Sequence, residues 1–373
     1  MKALFILPNL HMGGAERMTL RLLRDLNRRG LEPTLFLIKR EGLFLSEVPT
    51  DVRVVSTLDG EAQSSRSSRR LLLSKLLKYA RDTDVVVGAL ELGPTYLAYL
   101  SGRILNKPAI GWVHTSMGKH LRLFSRWQRI FTRLVYPRLG AVVVVSQGAA
   151  DSLESIVHIR PERVAIIPLY LDWDSLQTMA AEAVPPWARS ILAHPTVVTV
   201  GRLVTAKGFD VLIKAHARLR QAGLNHNLLI LGEGPARAEL ERLTLSLNVR
   251  SSVFIQGFVA NPHAIVKAAS IFVLSSRYEG FPLALLEALG VGAATLATDC
   301  AGGVREILEN GKFGVLVTPE DDCALASAIS KLLADLSLRN ALRAAAPQRA
   351  RAFTPENSLQ RWERLLSDAR APS

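Results

Sequence analysis

Cysteines are scarce in this 373-residue sequence, and long hydrophobic runs are missing. Two cysteines, Cys300 and Cys323, are too few for a disulfide framework or a metal-binding set, so we expect a reducing, cytoplasmic compartment. A membrane-spanning helix needs about 20 consecutive apolar residues, and no segment approaches that length, which excludes an integral membrane protein. The apolar start, residues 3–7, ends at Pro8-Asn9, so no signal peptide is expected.

Acidic residues are outnumbered, and one region has none. The 46 lysines and arginines exceed the 33 acidic residues, for a net charge of +13. Residues 101–150 contain eight basic residues and no acidic one. Such a surplus favours an anionic partner: a nucleic acid, a phosphorylated substrate or an anionic membrane.

Short apolar, β-branched runs alternate with amphipathic stretches, in one series before residue 170 and a second after residue 195. This alternation predicts an α/β protein with two Rossmann-like domains, each a doubly wound parallel sheet. We place an acceptor-side domain at residues 1–180 and a donor-side domain at 181–355. The irregular stretch 171–195 is interpreted as the linker, and a C-terminal helix over 356–373 is expected to cross back to the first domain.

Two loops that follow predicted strands carry features suited to anions. Gly13-Gly14 enters a helix, where backbone N–H groups can approach an anion, although a tight turn without a ligand is the alternative. Arg202 and Lys207 lie in the loop before the helix that starts near Phe209. Their natural counterion is a diphosphate, and a solvated surface loop is the alternative.

A third loop carries two glutamates. Glu279 lies in a Gly/Pro loop after a strand, and Glu287 lies in the following helix, which begins near Pro282. Because Leu286 and Ala288 flank Glu287, its carboxylate should accept hydrogen bonds, for which sugar or ribose hydroxyls are suitable donors. The free N–H groups at the helix start favour a phosphate or a leaving oxyanion.

Together these motifs resemble a known family. Glu279 and Glu287, with seven residues between them, resemble the E-x7-E motif of the retaining glycosyltransferases of family four, which have the GT-B fold. The likeness extends over roughly residues 3–345. It is also carried by Gly13-Gly14-Ala15-Glu16-Arg17, Gly201-Arg202-Leu203 with Lys207-Gly208, Gly232-Glu233-Gly234-Pro235 and Gly302-Gly303-Val304-Arg305-Glu306.

The resemblance implies a role for each matching residue. Arg202 and Lys207 would bind the diphosphate of a nucleotide sugar, Glu287 its ribose and Glu279 the transferred sugar. The loop of Gly280, Phe281, Pro282 and Leu283 would supply amides to the sugar and phosphate, and Gly257-Phe258 would frame the base. His114 would lie near the sugar and the acceptor, as a catalytic or positioning group, with a satisfied core histidine as the alternative.

The resemblance further implies a retaining transfer between two domains that face a central cleft, with the leaving diphosphate helping to remove the acceptor proton. Frequency in the family favours a UDP-sugar of hexosyl or N-acetylhexosaminyl type. Asp172-Trp173-Asp174 spells a metal–nucleotide motif of another fold, but the family has an unrelated aspartate there. Two carboxylates are few for a cation site, so we expect metal-independent catalysis and no cofactor besides the donor.

A basic, aromatic stretch over residues 119–138 points to the acceptor. The spacing of its arginines predicts one helical face, with apolar residues on the other, suited to an anionic membrane surface. Packing of the apolar face on the sheet is the alternative. We therefore expect a peripheral enzyme at the inner face of the membrane, acting on a lipid-linked or lipopolysaccharide-type acceptor. The arginines are Arg122, Arg126, Arg129 and Arg133.

Two other functions remain open from sequence. A nucleotide-sugar epimerase of the same architecture would need no acceptor, but it would need acid and base groups around the sugar. A nucleic-acid-binding protein is suggested by charge alone, without a recognisable motif.

Overall fold

The predicted apolar runs form the strands of two parallel sheets. The computed structural model describes residues 1–11, 13–59, 66–120 and 125–370. The chain divides into one unit of Met1–Leu169 with Glu356–Ser373 and a second unit of Tyr170–Pro355. The prediction of two doubly wound α/β domains is confirmed.

The first unit is built on a seven-stranded parallel sheet in the order β3-β2-β1-β4-β5-β6-β7. Its central strands are buried except for Lys2 at the start of β1, because helices cover both faces of the sheet. In chain order its elements are β1 (Lys2–Leu7), α1 (Gly14–Arg28), β2 (Glu32–Arg40), β3 (Arg53–Asp59), α2 (Arg66–Arg81), β4 (Val85–Gly88), α3 (Gly93–Leu105), β5 (Ala109–Val113), α4 (Met117–His120), α5 (Arg126–Val135), β6 (Ala141–Val144), α6 (Gln147–Glu154) and β7 (Val164–Ile166).

The second unit repeats this plan with a six-stranded sheet in the order β10-β9-β8-β11-β12-β13. Its core joins residues from strands and helices in one apolar cluster. Its elements are α7 (Trp173–Ala181), α8 (Pro186–Leu192), β8 (Thr196–Val200), α9 (Phe209–Gln221), β9 (Asn227–Leu231), α10 (Arg237–Ser246), β10 (Val253–Gly257), α11 (His263–Ala268), β11 (Ile271–Leu274), α12 (Leu283–Gly290), β12 (Thr295–Thr298), α13 (Val304–Ile307), β13 (Val315–Val317), α14 (Asp322–Ala334) and α15 (Leu336–Ala350).

Each sheet reverses its strand order at one point, and ligands of α/β sheets bind at such points, outside the carboxyl ends of the strands. In the first unit the reversal lies between β1 and β4, and in the second between β8 and β11. The loops that leave these strands include the Gly13-Gly14 turn, the loop of Arg202 and Lys207, and the loop of Glu279. The fold therefore places these three loops at the carboxyl ends of the strands, where α/β sheets bind ligands.

The border between the units differs from the predicted one. It lies between Leu169 and Tyr170 rather than at residue 180. The stretch 171–195, interpreted as a linker, instead contains two helices of the second unit, α7 and α8. Leu176 and Ala180 of α7 are buried, and α7 packs against α11 and α12, which explains why this segment belongs to the second unit.

The final helix, α16 (Pro355–Arg370), belongs mainly to the first unit. Trp362 is fully buried, with its ring 4.9 Å from that of Trp112 and 6.2 Å from that of Phe5. Arg29, at the end of α1, also binds Glu356 and Glu363 of this segment. In the part of the chain that the structure describes, no helix combines the length and the apolar character needed to cross a bilayer.

Candidate functional site

The loop after β8 is held by one buried side chain. Leu203 is fully buried in the core, and its N–H donates to the Glu233 carbonyl at 2.8 Å. Its neighbour Arg202 is exposed. The loop ends at Gly208, whose φ of +61° favours glycine and where a Cβ atom would lie 2.1 Å from the Ser275 carbonyl oxygen. Arg202 and Lys207 therefore lie on a loop whose backbone packs closely against the loop that follows β11.

Lys207 and Glu279 are brought together by this packing. The Lys207 Nζ lies 2.6 Å from Glu279 Oε1, although 72 residues separate them. Ser276 Oγ donates to the same oxygen at 2.5 Å. The Glu279 side chain is only 9% exposed and that of Lys207 25% exposed. In this largely desolvated setting a charge pair attracts more strongly than at a surface, which fixes the position of both groups.

The loop that follows Glu279 is tied to the chain after β12. The N–H of Glu279 donates to the Ala301 carbonyl at 2.9 Å, and the N–H of Gly303 donates to the Gly280 carbonyl at 2.7 Å. Phe281 is buried with its ring 5.5 Å from that of Phe353. These bonds hold the segment that leads into α12.

Pro282 caps the N-terminus of α12, and Leu283 is the first helical residue, as the sequence predicted. Glu287 lies in the same helix and is partly exposed, whereas its neighbours Leu286 and Ala288 are buried. The carboxylate is therefore at the edge of the core rather than within it.

A third loop of the second unit contains Gly257 and Phe258. Gly257 ends β10 with a φ of +85°, and a Cβ atom there would lie 2.7 Å from Glu233 Oε1. Phe258 is 42% exposed, which is unusual for a large aromatic side chain. An exposed ring beside the strand ends offers a stacking surface for a flat ligand group.

In the first unit, Gly13 caps α1 and Gly14 is its first residue. Gly13 has an extended backbone with a φ of −162°, and no side chain caps the helix at this position. Gly14 is exposed, and the Glu16 carboxylate lies against Gly13, where a Cβ atom would be 2.0 Å from Glu16 Oε2. Met12, just before this turn, is outside the described residues.

His114 follows β5 in the first unit and packs on Trp112, with ring centroids 4.2 Å apart. Both ring nitrogens are buried, with the main chain of Ala89 as a weak hydrogen-bonding neighbour. Burial lowers the pKa of His114 to about 3, so the imidazole is neutral near pH 7. A neutral imidazole can donate a hydrogen bond through one ring nitrogen and accept one through the other.

Glu91 was missed by the sequence reasoning. Its Oε2 accepts the main-chain N–H of His114 at 3.1 Å, and burial raises its pKa. The next residue, Leu92, has a φ of +63°, which is rare for a leucine, and its N–H donates to Tyr136 Oη at 3.2 Å. The available signal was an acidic residue three positions after the end of the apolar strand β4.

The predicted single helical face of four arginines is interrupted at Ser125. Helix α5 begins at Arg126, because Ser125 and Gln128 form a capping box at its start. Residues 121–124 are outside the described part of the chain, and Arg122 is among them. The other three predicted arginines, Arg126, Arg129 and Arg133, are exposed on α5.

The apolar side chains of α5 are exposed as well, which contradicts the alternative in which they pack on the sheet. Only Thr132 and Val135 of this helix are buried. Most of its large apolar surface therefore faces outward beside the arginines. The exposed side chains and their exposed fractions are Trp127 at 70%, Ile130 at 37%, Phe131 at 51% and Leu134 at 48%.

The aspartates of the D-x-D sequence have local roles in α7. Asp172 caps the helix by accepting the Ser175 N–H at 3.2 Å, and Asp174 lies in its first turn. Acidic residues are favourable at both positions because of the helix dipole. Among the described residues, no group of three or more His, Cys, Asp or Glu side chains is arranged to hold a metal ion.

Comparison with known proteins matches both units to domain families. Residues 12–174 match the model of Glycosyltransferase Family 4, and residues 189–349 match that of Glycosyl transferases group 1. Each match falls almost entirely within one of the two units.

Two relatives come from Campylobacter jejuni. One is the N-acetylgalactosamine-N,N'-diacetylbacillosaminyl-diphospho-undecaprenol 4-alpha-N-acetylgalactosaminyltransferase, 31% identical over 59% of this chain, which spans 58% of that relative's length. The other is the GalNAc-alpha-(1->4)-GalNAc-alpha-(1->3)-diNAcBac-PP-undecaprenol alpha-1,4-N-acetyl-D-galactosaminyltransferase, 26% identical over 99% of both chains.

A similar solved structure is that of HepE from Anabaena, crystallised in complex with UDP and glucose. It has a TM-score of 0.85 and 20% sequence identity, and it covers 99% of this chain and 100% of its own. At this identity the likeness concerns the fold, and it confirms the predicted GT-B architecture.

Proposed function

We propose that this chain moves a sugar from a UDP-sugar to a lipid-linked saccharide or lipopolysaccharide-type acceptor. The chain belongs to the glycosyltransferases that join a Glycosyltransferase Family 4 domain to a Glycosyl transferases group 1 domain. The observation that carries the proposal is the Lys207–Glu279 pair at the switch point of the second sheet. The names of the two Campylobacter relatives support an undecaprenol-diphosphate-linked acceptor. The UDP in the HepE structure supports the donor.

The donor diphosphate would bind beside Arg202 and Lys207. Arg202 is exposed on its loop, and an arginine can bind two phosphate oxygens at once, whereas Lys207 acts as a point charge. Charge-assisted hydrogen bonds contribute about 1.5–3 kcal/mol each. These cations would stabilise the negative charge that grows on the diphosphate as the sugar departs.

The remaining donor contacts follow the matched positions. Glu279, held by Lys207 and Ser276, would contact hydroxyls of the transferred sugar. Glu287, partly exposed on α12, would hold the ribose, and Phe258 would stack on the base. The amides of the loop from Gly280 to Leu283 would contact the sugar and the diphosphate.

In the first unit, the turn of Gly13 and Gly14 would offer amides to the donor. His114 would contact the transferred sugar or the acceptor, as a neutral group. Its pKa of about 3 supports a role as hydrogen-bond partner rather than as a cation.

The transfer would retain the configuration of the sugar and need no metal. The leaving diphosphate would assist removal of the acceptor proton on the same face, so the protein would supply orientation and electrostatic stabilisation. The capping role of Asp172 supports the absence of a metal site at the D-x-D sequence.

The exposed basic and aromatic side chains of α5 support a membrane-bound acceptor. We define the α5 surface as Arg126, Trp127, Arg129, Ile130, Phe131, Arg133 and Leu134, all exposed. A helix of this kind lies at an anionic membrane with its apolar side chains in the headgroup region. Three arginines near such a surface contribute about 3 kcal/mol.

The proposed function is tested with a panel of UDP- and GDP-sugars. Thermal shift would identify the bound donor, and NMR of the product made from that donor would give its anomeric configuration. We expect stabilisation by a UDP-sugar and a product with the donor's configuration, formed in the presence of a chelator. Isomerised donor without an acceptor would favour the epimerase alternative instead.

A further inference from the structure

Three consecutive side chains after β11 bind the two donor-side loops, that of Lys207 and that of Glu279. Ser275 Oγ donates to the Lys207 carbonyl at 2.9 Å. Ser276 Oγ donates to Glu279 Oε1 at 2.5 Å. The third residue, Arg277, reaches back to the segment Thr205–Asp210, which contains Lys207. The sequence motifs assigned roles to Lys207 and Glu279 but none to Ser275, Ser276 or Arg277.

Arg277 uses every nitrogen of its guanidinium group. Its Nη1 and Nη2 each lie 2.8 Å from one carboxylate oxygen of Asp210, in a bidentate pair. Nη1 also donates to the Thr205 carbonyl at 2.6 Å, and Nε donates to Glu320 Oε1 at 2.7 Å. The main-chain N–H of Arg277 adds a bond to the Ala206 carbonyl at 2.8 Å. The side chain is 20% exposed, so these bonds are partly shielded from water.

These contacts fix the path of the chain on both sides of Lys207. Thr205 and Ala206 are held just before it and Asp210 just after it. Between them, Gly208 packs so closely on Ser275 that a Cβ atom would lie 2.1 Å from the Ser275 carbonyl oxygen. The lysine side chain therefore starts from a backbone whose position depends on Arg277.

We propose that Arg277 is a positioning residue for the donor diphosphate, acting through Lys207 rather than by touching the donor. This inference rests on the proposed function, because it assigns Lys207 to the diphosphate. Lysine cannot replace Arg277, since an ammonium group cannot bind both Asp210 oxygens and a carbonyl in one plane. Loss of Arg277 should weaken binding of the phosphates and leave binding of the nucleoside largely intact.

Calorimetric titration of the full chain with UDP and with uridine tests this inference. We expect Arg277→Gln to raise the Kd for UDP at least about tenfold, as for loss of one charge-assisted contact, and the Kd for uridine less than about twofold. Arg277→Lys should give an intermediate Kd for UDP. Arg218→Gln is the matched control, because it removes another arginine–aspartate pair of the second unit, with Asp322, and should bind UDP as the wild type does.

Asp210→Asn provides a second variant if Arg277→Gln does not fold. It weakens the bidentate pair but keeps the bonds of Arg277 to Thr205 and Glu320, and it should raise the Kd for UDP by a smaller factor. If these variants bind UDP as the wild type does, or lose equal affinity for UDP and for uridine, the role of Arg277 is wrong and the proposed function is unaffected. A wild-type chain that does not bind UDP would overturn the proposed donor and the inference together.

Discussion

At the scale of single residues, Lys207 and Glu279 depend on each other. Each is largely withdrawn from water, and Glu279 also accepts a bond from buried Ser276. Removing one member of such a pair leaves the other charge with less compensation, which costs more than the loss of a surface ion pair. The two groups therefore form a unit, and substitution of one should impair both of the roles proposed for them.

Lys207→Ala should lower kcat/KM for the donor by about a hundredfold or more, because it removes a phosphate contact and leaves the Glu279 carboxylate poorly paired. Steady-state kinetics with varied UDP-sugar measure this effect. Lys331→Ala, which removes an exposed lysine of α14, is the control and should retain wild-type kinetics. Wild-type kcat/KM in Lys207→Ala would contradict the diphosphate assignment.

A second residue-scale feature is a buried histidine pair that the donor site does not use. His226 Nδ1 donates to the Leu224 carbonyl at 3.2 Å, so its Nε2 accepts from His216 Nδ1 at 2.9 Å. His216 Nε2 lies 2.9 Å from Ser252 Oγ. Burial lowers the pKa of His216 to about 3, and it also lowers that of His226. Both rings are thus held neutral in the folded state.

This pair should make the second unit sensitive to acid. Because the pKa of His216 is lower in the folded chain than its ordinary value of 6.5, its stabilising effect is complete above pH 6.5 and is lost as the pH falls toward 3. The loss is about 1.4 kcal/mol per pH unit for one such group. Urea unfolding between pH 7.5 and 4.5 measures it.

His216→Gln should flatten this pH dependence, even if it lowers stability at neutral pH. His158→Gln, at an exposed position of the first unit, is the control and should keep the wild-type slope. An equal slope in His216→Gln and in the wild type would show that the pair has no part in acid unfolding.

At the scale of elements, α5 is exceptional because its apolar and its basic side chains are both exposed. Gln128 and Thr132 anchor the helix, with Tyr96 Oη bound to the Gln128 carbonyl at 3.1 Å and 2.8 Å from Thr132 Oγ1, and Val135 is buried. Two exposed side chains add weaker contacts: the Phe131 ring lies 6.1 Å from that of Tyr96, and Arg133 Nε donates to the Ile156 carbonyl at 3.4 Å. A helix anchored by so narrow a face keeps most of its surface for a partner.

The α5 surface should bind anionic vesicles. We expect wild-type chain to sediment with phosphatidylglycerol-containing vesicles at low salt and to be released at high salt, because exposed charges are screened. Replacing Arg126, Arg129 and Arg133 by Gln should abolish most of this binding. Arg81, Arg103 and Arg160, which are exposed in the first unit outside residues 119–138, form the control triple, which should retain binding. Equal sedimentation of both triples would contradict the membrane role of α5.

Elements were predictable from sequence where local pattern decides the structure. The apolar runs gave strands, and helices α1 and α9 end two residues before Gly30 and Gly223, glycines with a φ of +84° that are typical helix stop signals. Residues 171–195 were misassigned because α7 is stabilised by packing on α11 and α12, which a local pattern does not reveal. The start of α5 could have been found, since the S-x-x-Q sequence at Ser125 is a capping signature.

The candidate site was less predictable than the fold. Sequence motifs gave Lys207 and Glu279 separately, but their contact depends on β8 and β11 being neighbours in the sheet. The same holds for Arg277 and Asp210, which are 67 residues apart. Pairings of this kind follow from strand order, and strand order is a property of the whole unit rather than of a segment.

At the scale of the whole molecule, the two parallel-sheet units carry different parts of the proposed glycosyltransferase function. The second unit carries the loops assigned to the nucleotide sugar, and the first carries His114, the Gly13-Gly14 turn and the α5 surface. Helix α16 follows the second unit in the chain but is buried on the first through Trp362. The chain thus passes from the first sheet to the second and returns at its end.

The most direct test of the proposed transfer follows the sugar and the nucleotide together. The purified chain is incubated with a UDP-sugar and an undecaprenol-diphosphate-linked saccharide, and mass spectrometry measures both products. We predict that the lipid-linked saccharide gains one sugar residue for each UDP released, and that Lys207→Ala nearly abolishes both. UDP-sugars of every type left intact in the presence of this acceptor, or UDP released without any change in the lipid, would contradict the account.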